Sequence, residues 1–328
     1  MLYGVLNWGL GHASRSIPVI RLLIKQGHEV QIASDGIALK LLKTELPGLT
    51  FHTLSKTTFT YPFSNVFLNG VANFFQIFNH LWKDHKQAKN ISQKIKANVI
   101  ISDNRFIFRS KHITKNIYIS HQLTIHHDIN WISKSLTFVH RLFINHFDSC
   151  WVPDTPDHRL SGKLSSNNRI KNIFYIGPLS RIKPEAVVQK DIDVLFLLSG
   201  PEPQRTILEQ SLNDLFPNLS KYKTCLVRGT LIPSNFAHDS LQNIVLNLAD
   251  SVSLNNILSR SKLVVCRPGY STLMDLEPFD VKAIVIPTPG QTEQIYLGKH
   301  IVKTNNNYHC ILQHQMQDLL PLILTKLN

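Results

Sequence analysis

Four cysteines in 328 residues, at positions 150, 225, 266 and 310, are too few and too far apart for a disulfide framework or a thiolate zinc knuckle. They read as reduced thiols, mostly buried, in a cytosolic protein. Long apolar runs are also missing. No stretch approaches the ~18–20 residues that a spanning helix needs, and the opening residues lack the basic segment and apolar core of a signal peptide. Acidic residues are scarce: 22 Asp and Glu face 35 Lys and Arg, a net charge of +13. Two nucleotide motifs are absent as well. No Gly-Lys-Ser/Thr follows a glycine turn, which excludes a P-loop, and Ser14 stands where the dinucleotide fingerprint G-x-G-x-x-G needs its third glycine.

What is present describes a globular chain. A hydrophobic content of 43% excludes disorder, and the length suits two domains of roughly 150 residues each. The positive excess is lopsided. Residues 1–180 hold 21 Lys and Arg against nine Asp and Glu, while residues 181–328 hold 14 against 13. Twelve of the 16 histidines also lie in the first part. Such a field suits an anionic lipid surface, an acidic glycan or nucleic acid, and it also serves solubility alone. No nucleic-acid reading module and no interleaving of aromatic and basic residues accompanies it, so a basic nucleic-acid-binding protein is the weaker alternative.

Short β-branched runs alternate with helical stretches. LYGVLNW, HEVQIAS, NVIISD, NIYISH and SCWVPD read as strands in the first half, and DVLFLLSG, KTCLVRG, IVLNLA, KLVVCR and KAIVIP in the second. Several are continuously apolar, as parallel strands covered on both faces should be. Two βα series imply an α/β protein of two doubly wound sheets facing each other across a cleft. The expected division is 1–178, a polar, proline-bearing linker 179–190, and 191–328, with the last helix open to packing back on the first domain. Within 64–82 the residues Phe67, Val71, Phe74, Phe75, Phe78, Leu81 and Trp82 recur at helical spacing. This stripe fits a core face, and equally an acceptor groove or an interfacial membrane helix.

The segment GVLNWGLGHASRS (4–16) brings a glycine turn straight after the first strand. Gly9 and Gly11 permit a tight turn, Ser14 or Ser16 can cap the next helix, and Pro18 fits best within its first turn. His12 then stands at a helix N-terminus, whose positive dipole disfavours imidazolium. A neutral histidine there suits a general base. Asp103 and His121 end the strands NVIISD and NIYIS, where α/β sheets gather ligand residues, and are expected to orient His12.

In the second half VVCRPGYSTLMDLEPFDVKAIVIPTPGQTEQ (264–294) runs strand, glycine turn, helix, strand, polar loop. Gly269, Ser271 and Thr272 offer N–H groups and hydroxyls to a diphosphate. Asp275, one turn on, suits a ribose diol, and Gln291, Glu293 and Gln294 suit sugar hydroxyls. Arg228, after the strand KTCLV, is a further diphosphate candidate. His126, His127 and Asp128 lack the spacing of a metal set, and Asp191 and Asp193 enter a strand rather than leave one, so neither group is expected to hold a metal.

The 264–294 stretch resembles the carboxy-terminal signature of GT-B glycosyltransferases, particularly the MurG-like enzymes and the UDP-glycosyltransferase superfamily. Cys266 through Asp275 is similar to the family's CRxGaxTxxE run for the nucleotide diphosphate and ribose, with Asp275 in place of Glu. Pro287 to Gln294 is similar to its donor-sugar loop. LFLLSGPEPQR resembles the loop opening the second domain, which implies that Ser199 and Gly200 lie beside the phosphates. IGPLSR resembles the interdomain segment, which implies that Arg181, with Arg267, assists the diphosphate. GLGH resembles the family's GGH, which implies Gly11 at the donor and His12 as base. The MurG glycine-rich acceptor loop has no counterpart in ISDNRF or ISHQLTIHHD.

The resemblance implies an inverting, metal-independent transfer of a hexosyl group from a UDP-sugar to a hydroxyl acceptor, with no cofactor. A lipid or cell-envelope glycan acceptor is open. A non-hydrolysing UDP-sugar 2-epimerase would share the architecture. The expected location is the cytoplasm, and the charge leaves open a peripheral position at the inner face of the cell membrane.

Overall fold

The computed structural model describes residues 1–55, 74–166, 169–184, 188–230 and 243–327. The chain divides into two compact units, Met1–Leu179 and Ser180–Asn328.

The first unit runs β1 (Leu2–Val5), α1 (Gly11–Lys25), β2 (Gln31–Ser34), α2 (Gly36–Glu45), β3 (Thr50–Thr53), α3 (Phe74–Lys94), β4 (Val99–Asp103), β5 (Lys115–Ile119), α4 (Asn130–Ile144), β6 (Ser149–Val152) and β7 (Ile173–Tyr175). Its seven strands are parallel in the order β3-β2-β1-β4-β5-β6-β7. All four residues of β1 are buried, as a strand covered on both faces requires. Gly4 admits the ring of Phe108, which lies where a Cβ would stand. On one side Tyr3, Val5 and Ile32 pack against Ile17 and Ile20 of α1. On the other, Leu2, Ala33 and Ile100 meet Ala88 of α3 and Phe108.

The chain leaves β1 toward β2 and β3, then returns to place β4 on the opposite side of β1, with Val5 paired to Asp103. The strand order reverses between β1 and β4, and the loops beyond that point are where such sheets bind ligands.

The second unit repeats the plan with β8 (Ile192–Leu197), α5 (Gln204–Asn213), β9 (Thr224–Val227), β10 (Asn243–Leu246), α6 (Ser251–Arg260), β11 (Ser261–Cys266), α7 (Tyr270–Leu276), β12 (Lys282–Val285), α8 (Thr292–Thr304), β13 (Tyr308–Cys310) and α9 (Leu319–Leu327). Its six parallel strands stand in the order β10-β9-β8-β11-β12-β13, so the reversal falls between β8 and β11. Leu319 and Ile323 are buried with Val194, Phe196 and Val265, because α9 carries its apolar face toward its own sheet.

Local expectations for α1 need correction. The helix begins at Gly11, so Pro18 sits inside it rather than in the first turn, and neither serine is its cap. Ser16 instead turns inward on the body of the helix. Proline leaves the Ser14 carbonyl without its usual intrahelical donor.

The aromatic stripe 64–82 lies largely outside the described residues. Of its described side chains Leu81 is half-buried and Trp82 is exposed. On α4 the residues Ile132, His140 and Ile144 face inward, while Trp131, Phe138, Val139 and Leu142 are exposed. No described helix is long and apolar enough to cross a membrane.

Candidate active site

Gly9, with φ of 73°, turns the chain after β1 so that α1 starts at once and His12 falls in its first turn. His12, Arg15 and Ser16 then share one helical face by their i, i+3, i+4 spacing. That face meets the end of β4. His12 Nδ1 lies 2.8 Å from Asp103 Oδ1. Arg15 Nε reaches Asp103 Oδ1 and Oδ2 at 3.1 and 2.9 Å, and its Nη2 makes a further short bond to Oδ1. Ser16 Oγ stands 3.1 Å from Oδ2. Beyond β5, His121 Nδ1 is 2.9 Å from Arg15 Nη1.

The chemistry of these contacts follows from donor counting. Asp103 is fully buried, and Arg15 with His12 holds its carboxyl well below the ordinary range despite that burial. A carboxylate only accepts, so the neutral His12 ring donates from Nδ1 and keeps its lone pair on Nε2. Burial first, then the Arg15 charge, lowers the His12 pKa from its ordinary value, against the opposing pull of Asp103. The ring retains 14% side-chain exposure. Arg15 is always a donor, so His121 receives it on a bare Nδ1 and carries its own proton on Nε2. The structure therefore brings His12, Asp103 and His121 together, with Arg15 at the hub.

Beneath this group lies a second buried ion cluster. Arg105 is fully buried and donates to Asp84 at 2.6 Å, to Asp35 through a short bond, and to the Val5 carbonyl at 3.0 Å. It ties β1, β2, α3 and β4 together at the strand ends that carry the site.

In the second unit Ser199 and Gly200 follow β8, and Gly269 precedes α7 after β11, so both flank the strand-order reversal. Ser271 and Thr272 occupy the first turn of α7. Asp275 is buried and accepts from Ser180 Oγ at 2.7 Å. Burial pushes its carboxyl up to about 6, against the opposing effect of Arg181. Arg181 itself donates to the Ala249 carbonyl at 3.4 Å. Gln291 stands at the N-cap position of α8 without a side-chain capping bond, Glu293 lies in its first turn, and Gln294 Oε1 accepts the Thr288 N–H at 2.8 Å. Pro287, Thr288, Pro289, Ile295, Leu312 and Gln313 line a cavity of about 420 Å³.

Two arginines expected at the diphosphate have other partners. Arg228 is buried, bonding Glu209 at 2.6 Å and Asn247 at 2.7 Å, within an ion cluster that includes Arg205. Arg267 is fully buried and donates to the carbonyls of Ile286, Pro287 and Gln204 and to Gln313 Oε1. Both brace loops from within. A residue type after a strand does not reveal whether a buried carboxylate or carbonyl waits for it. Asp191 and Asp193 pair with Lys223, Arg260 and Lys262 at the start of β8, and His127 Nδ1 accepts the Ile129 N–H at 3.0 Å.

Residues 1–125 match the family described as Glycosyl transferase family 1, and residues 233–327 match the Glycosyltransferase family 28 C-terminal domain. The chain is a glycosyltransferase with the GT-B fold. The fold of this glycosyltransferase is similar to that of the kitacinnamycin glycotransferase, with TM-score 0.71 and 13% identity over 100% of this chain and 90% of that one. It is also similar to MurG of Acinetobacter baumannii, with TM-score 0.57 and 13% identity over 100% and 90%. A protein named as a UDP-N-acetylglucosamine 2-epimerase from Listeria monocytogenes shares the fold too, with TM-score 0.62 and 11% identity over 100% and 88%. At such identities these likenesses speak to the fold alone. No curated protein sequence matches the chain.

Reading of the glycosyltransferase sequence missed Arg15, Ser16 and Thr288. The helical spacing from His12 was the available signal for the first two. For Thr288 there was none: its Oγ1 is buried with no hydrogen-bond partner among the described residues, beside Gly200.

The raised Asp275 carboxyl has a measurable consequence. A carboxyl that binds its proton more tightly when folded makes the second unit lose stability as pH rises from about 4 to about 6. Near pH 7.5 the ionised form is the costly one, by roughly 2–3 kcal/mol. Asp275→Asn should therefore raise the resistance of the second unit to urea at pH 7.5 and change nothing at pH 4. An equal effect at both pH values would contradict this account.

Proposed function

We propose that this glycosyltransferase moves a hexosyl group from a UDP-sugar to a hydroxyl acceptor, with inversion and without a metal. The observation that carries the reading is the His12–Asp103 contact, which leaves a neutral imidazole with Nε2 as its basic atom. In the proposed step Nε2 takes the proton of the acceptor hydroxyl. The acceptor oxygen bonds to the anomeric carbon as the bond from that carbon to the diphosphate oxygen breaks, and UDP leaves with the electron pair. General bases so placed typically contribute ~10²–10⁴ in rate.

The donor is assigned to the second unit. Ser199, Gly200, Gly269, Ser271 and Thr272, with Arg181, are proposed at the diphosphate, where N–H groups and hydroxyls stabilise the departing charge. Asp275 is proposed at the ribose. A buried carboxylate that costs the fold stability near neutral pH is a common mark of a ligand residue. Gln291 and Glu293 are assigned to the sugar, with Gln294 bracing their loop through Thr288. The basic excess of residues 1–180 favours an anionic lipid or cell-envelope glycan as acceptor.

The donor assignment is tested by thermal shift with UDP-glucose, UDP-galactose and UDP-N-acetylglucosamine. A ligand at one hundred times its Kd adds about 2.7 kcal/mol to the unit that holds it. One of the three should raise the melting temperature, and loss of that shift in Ser271→Ala/Thr272→Ala is expected. NMR of the same UDP-sugar with enzyme and no acceptor should show no second UDP-sugar. Its appearance would favour 2-epimerisation.

A further inference from the structure

Asp103 poses a problem for a base. A carboxylate 2.8 Å from an imidazole orients it, yet it also favours the imidazolium. A base held as imidazolium cannot accept a proton, so the orienting partner works against the group it orients. The structure contains a counterweight. Arg15 is buried, lies three residues after His12 on the same face of α1, and engages both oxygens of the carboxylate that His12 uses. Its remaining terminal nitrogen is fixed by His121 at 2.9 Å.

We propose that Arg15 is a positioning residue that neutralises Asp103, so that the carboxylate fixes the tautomer of His12 without fixing a second proton on it. Through Nη1 it also sets His121 with Nδ1 as acceptor, which leaves that ring's Nε2–H as the donor on its far side. The inference rests on the reading of His12 as the base.

The charged and titratable groups around His12 come from four elements. Arg15 lies on α1 itself, Asp103 on β4, His121 beyond β5, and Tyr3 on β1. Tyr3 is fully buried and its hydroxyl is held far above its ordinary pKa, so it stays neutral. Asp103 is the negative group in this set, and Arg15 is the permanent positive one. Removing Arg15 both takes away a cation that opposes imidazolium and uncovers the anion that favours it. Both changes act in the same direction.

The direct test is an NMR titration of the His12 ring, assigned by the signal lost in His12→Asn, in the full chain and in Arg15→Met and Arg15→Lys. In Arg15→Met the His12 midpoint should rise by about one pH unit or more. Arg15→Lys, which keeps the charge but loses the fork, should fall between it and the wild type. Transfer by Arg15→Met should fall below that of the wild type as pH drops under the new midpoint, by about tenfold or more once pH lies below both midpoints, and recover as pH is raised past the new one. A merely structural role would lower transfer by the same factor at every pH.

Should Arg15→Met fail to fold, Arg15→Met/Asp103→Asn removes both charges together. It should fold and titrate His12 close to or below its wild-type midpoint. An unchanged His12 midpoint in Arg15→Met, or a raised one in the double variant, overturns the proposal. His12→Ala with undiminished transfer would instead overturn the reading of His12 as base, and would leave the titration result standing.

Discussion

His12→Ala should lower the rate of hexosyl transfer by ~10²–10⁴ while leaving the thermal shift produced by the UDP-sugar unchanged. The separation is expected because the ring sits at β1 and α1 of the first unit, whereas the donor is assigned to residues of the second. A loss of that size is about 3–5 kcal/mol of transition-state stabilisation. It should appear in kcat, since a proton is taken only as the new bond forms. The pH dependence gives an independent check. The base is competent when unprotonated, and its pKa lies below the ordinary histidine value. Transfer by the wild type should therefore persist to a lower pH than an ordinary histidine base would allow, and decline as pH falls through that lowered midpoint. A rate that already halves near pH 7 would mean that His12 is not the titrating base.

Arg105→Met should be the most damaging change to stability in the first unit. It would remove the buried cation that now bonds and neutralises two buried carboxylates, Asp35 and Asp84. Breaking a buried pair by deleting one partner costs ~3–5 kcal/mol, a large share of the roughly 5–15 kcal/mol that holds a domain together. For a unit of this size the melting transition should fall by about 6–20 °C. Calorimetry can resolve the two units' transitions, and the second should be unmoved. Arg105→Met/Asp84→Asn should recover part of the loss, because one uncompensated charge is removed with the cation. A variant melting within a degree or two of the wild type would show that water or rearrangement satisfies these carboxylates.

The sequence made the architecture legible where strands carry a run of consecutive apolar residues. β1, β4, β8 and β11 lie in the interior of their sheets, and the apolar runs within them reveal it. The edge strands β3, β7 and β13 were not foreseen. TFHT, IFY and YHC are short and only partly buried, and pairing with a neighbour, rather than their own composition, makes them strands. In the site, the glycine turn and its histidine stand close together in sequence and could be found. Asp103 could be proposed because strand carboxyl ends gather ligands. The fate of each arginine could not. Arg15, Arg105, Arg228 and Arg267 are all buried, and what each one bonds depends on carboxylates and carbonyls brought up from distant segments. Long-range partnership of that kind leaves no local pattern.

The pairing of Val5 with Asp103 carries a consequence for the growing chain. His12 is made 91 residues before the carboxylate that orients it, and β2, α2, β3 and α3 are all synthesised in between. Until β4 slots in beside β1 that imidazole is an ordinary one, titrating freely in water. If His12 is the base proposed above, competence arrives late in maturation, with a long loop closure, and the resonance of this single ring would time the moment when the first sheet attains its native strand order.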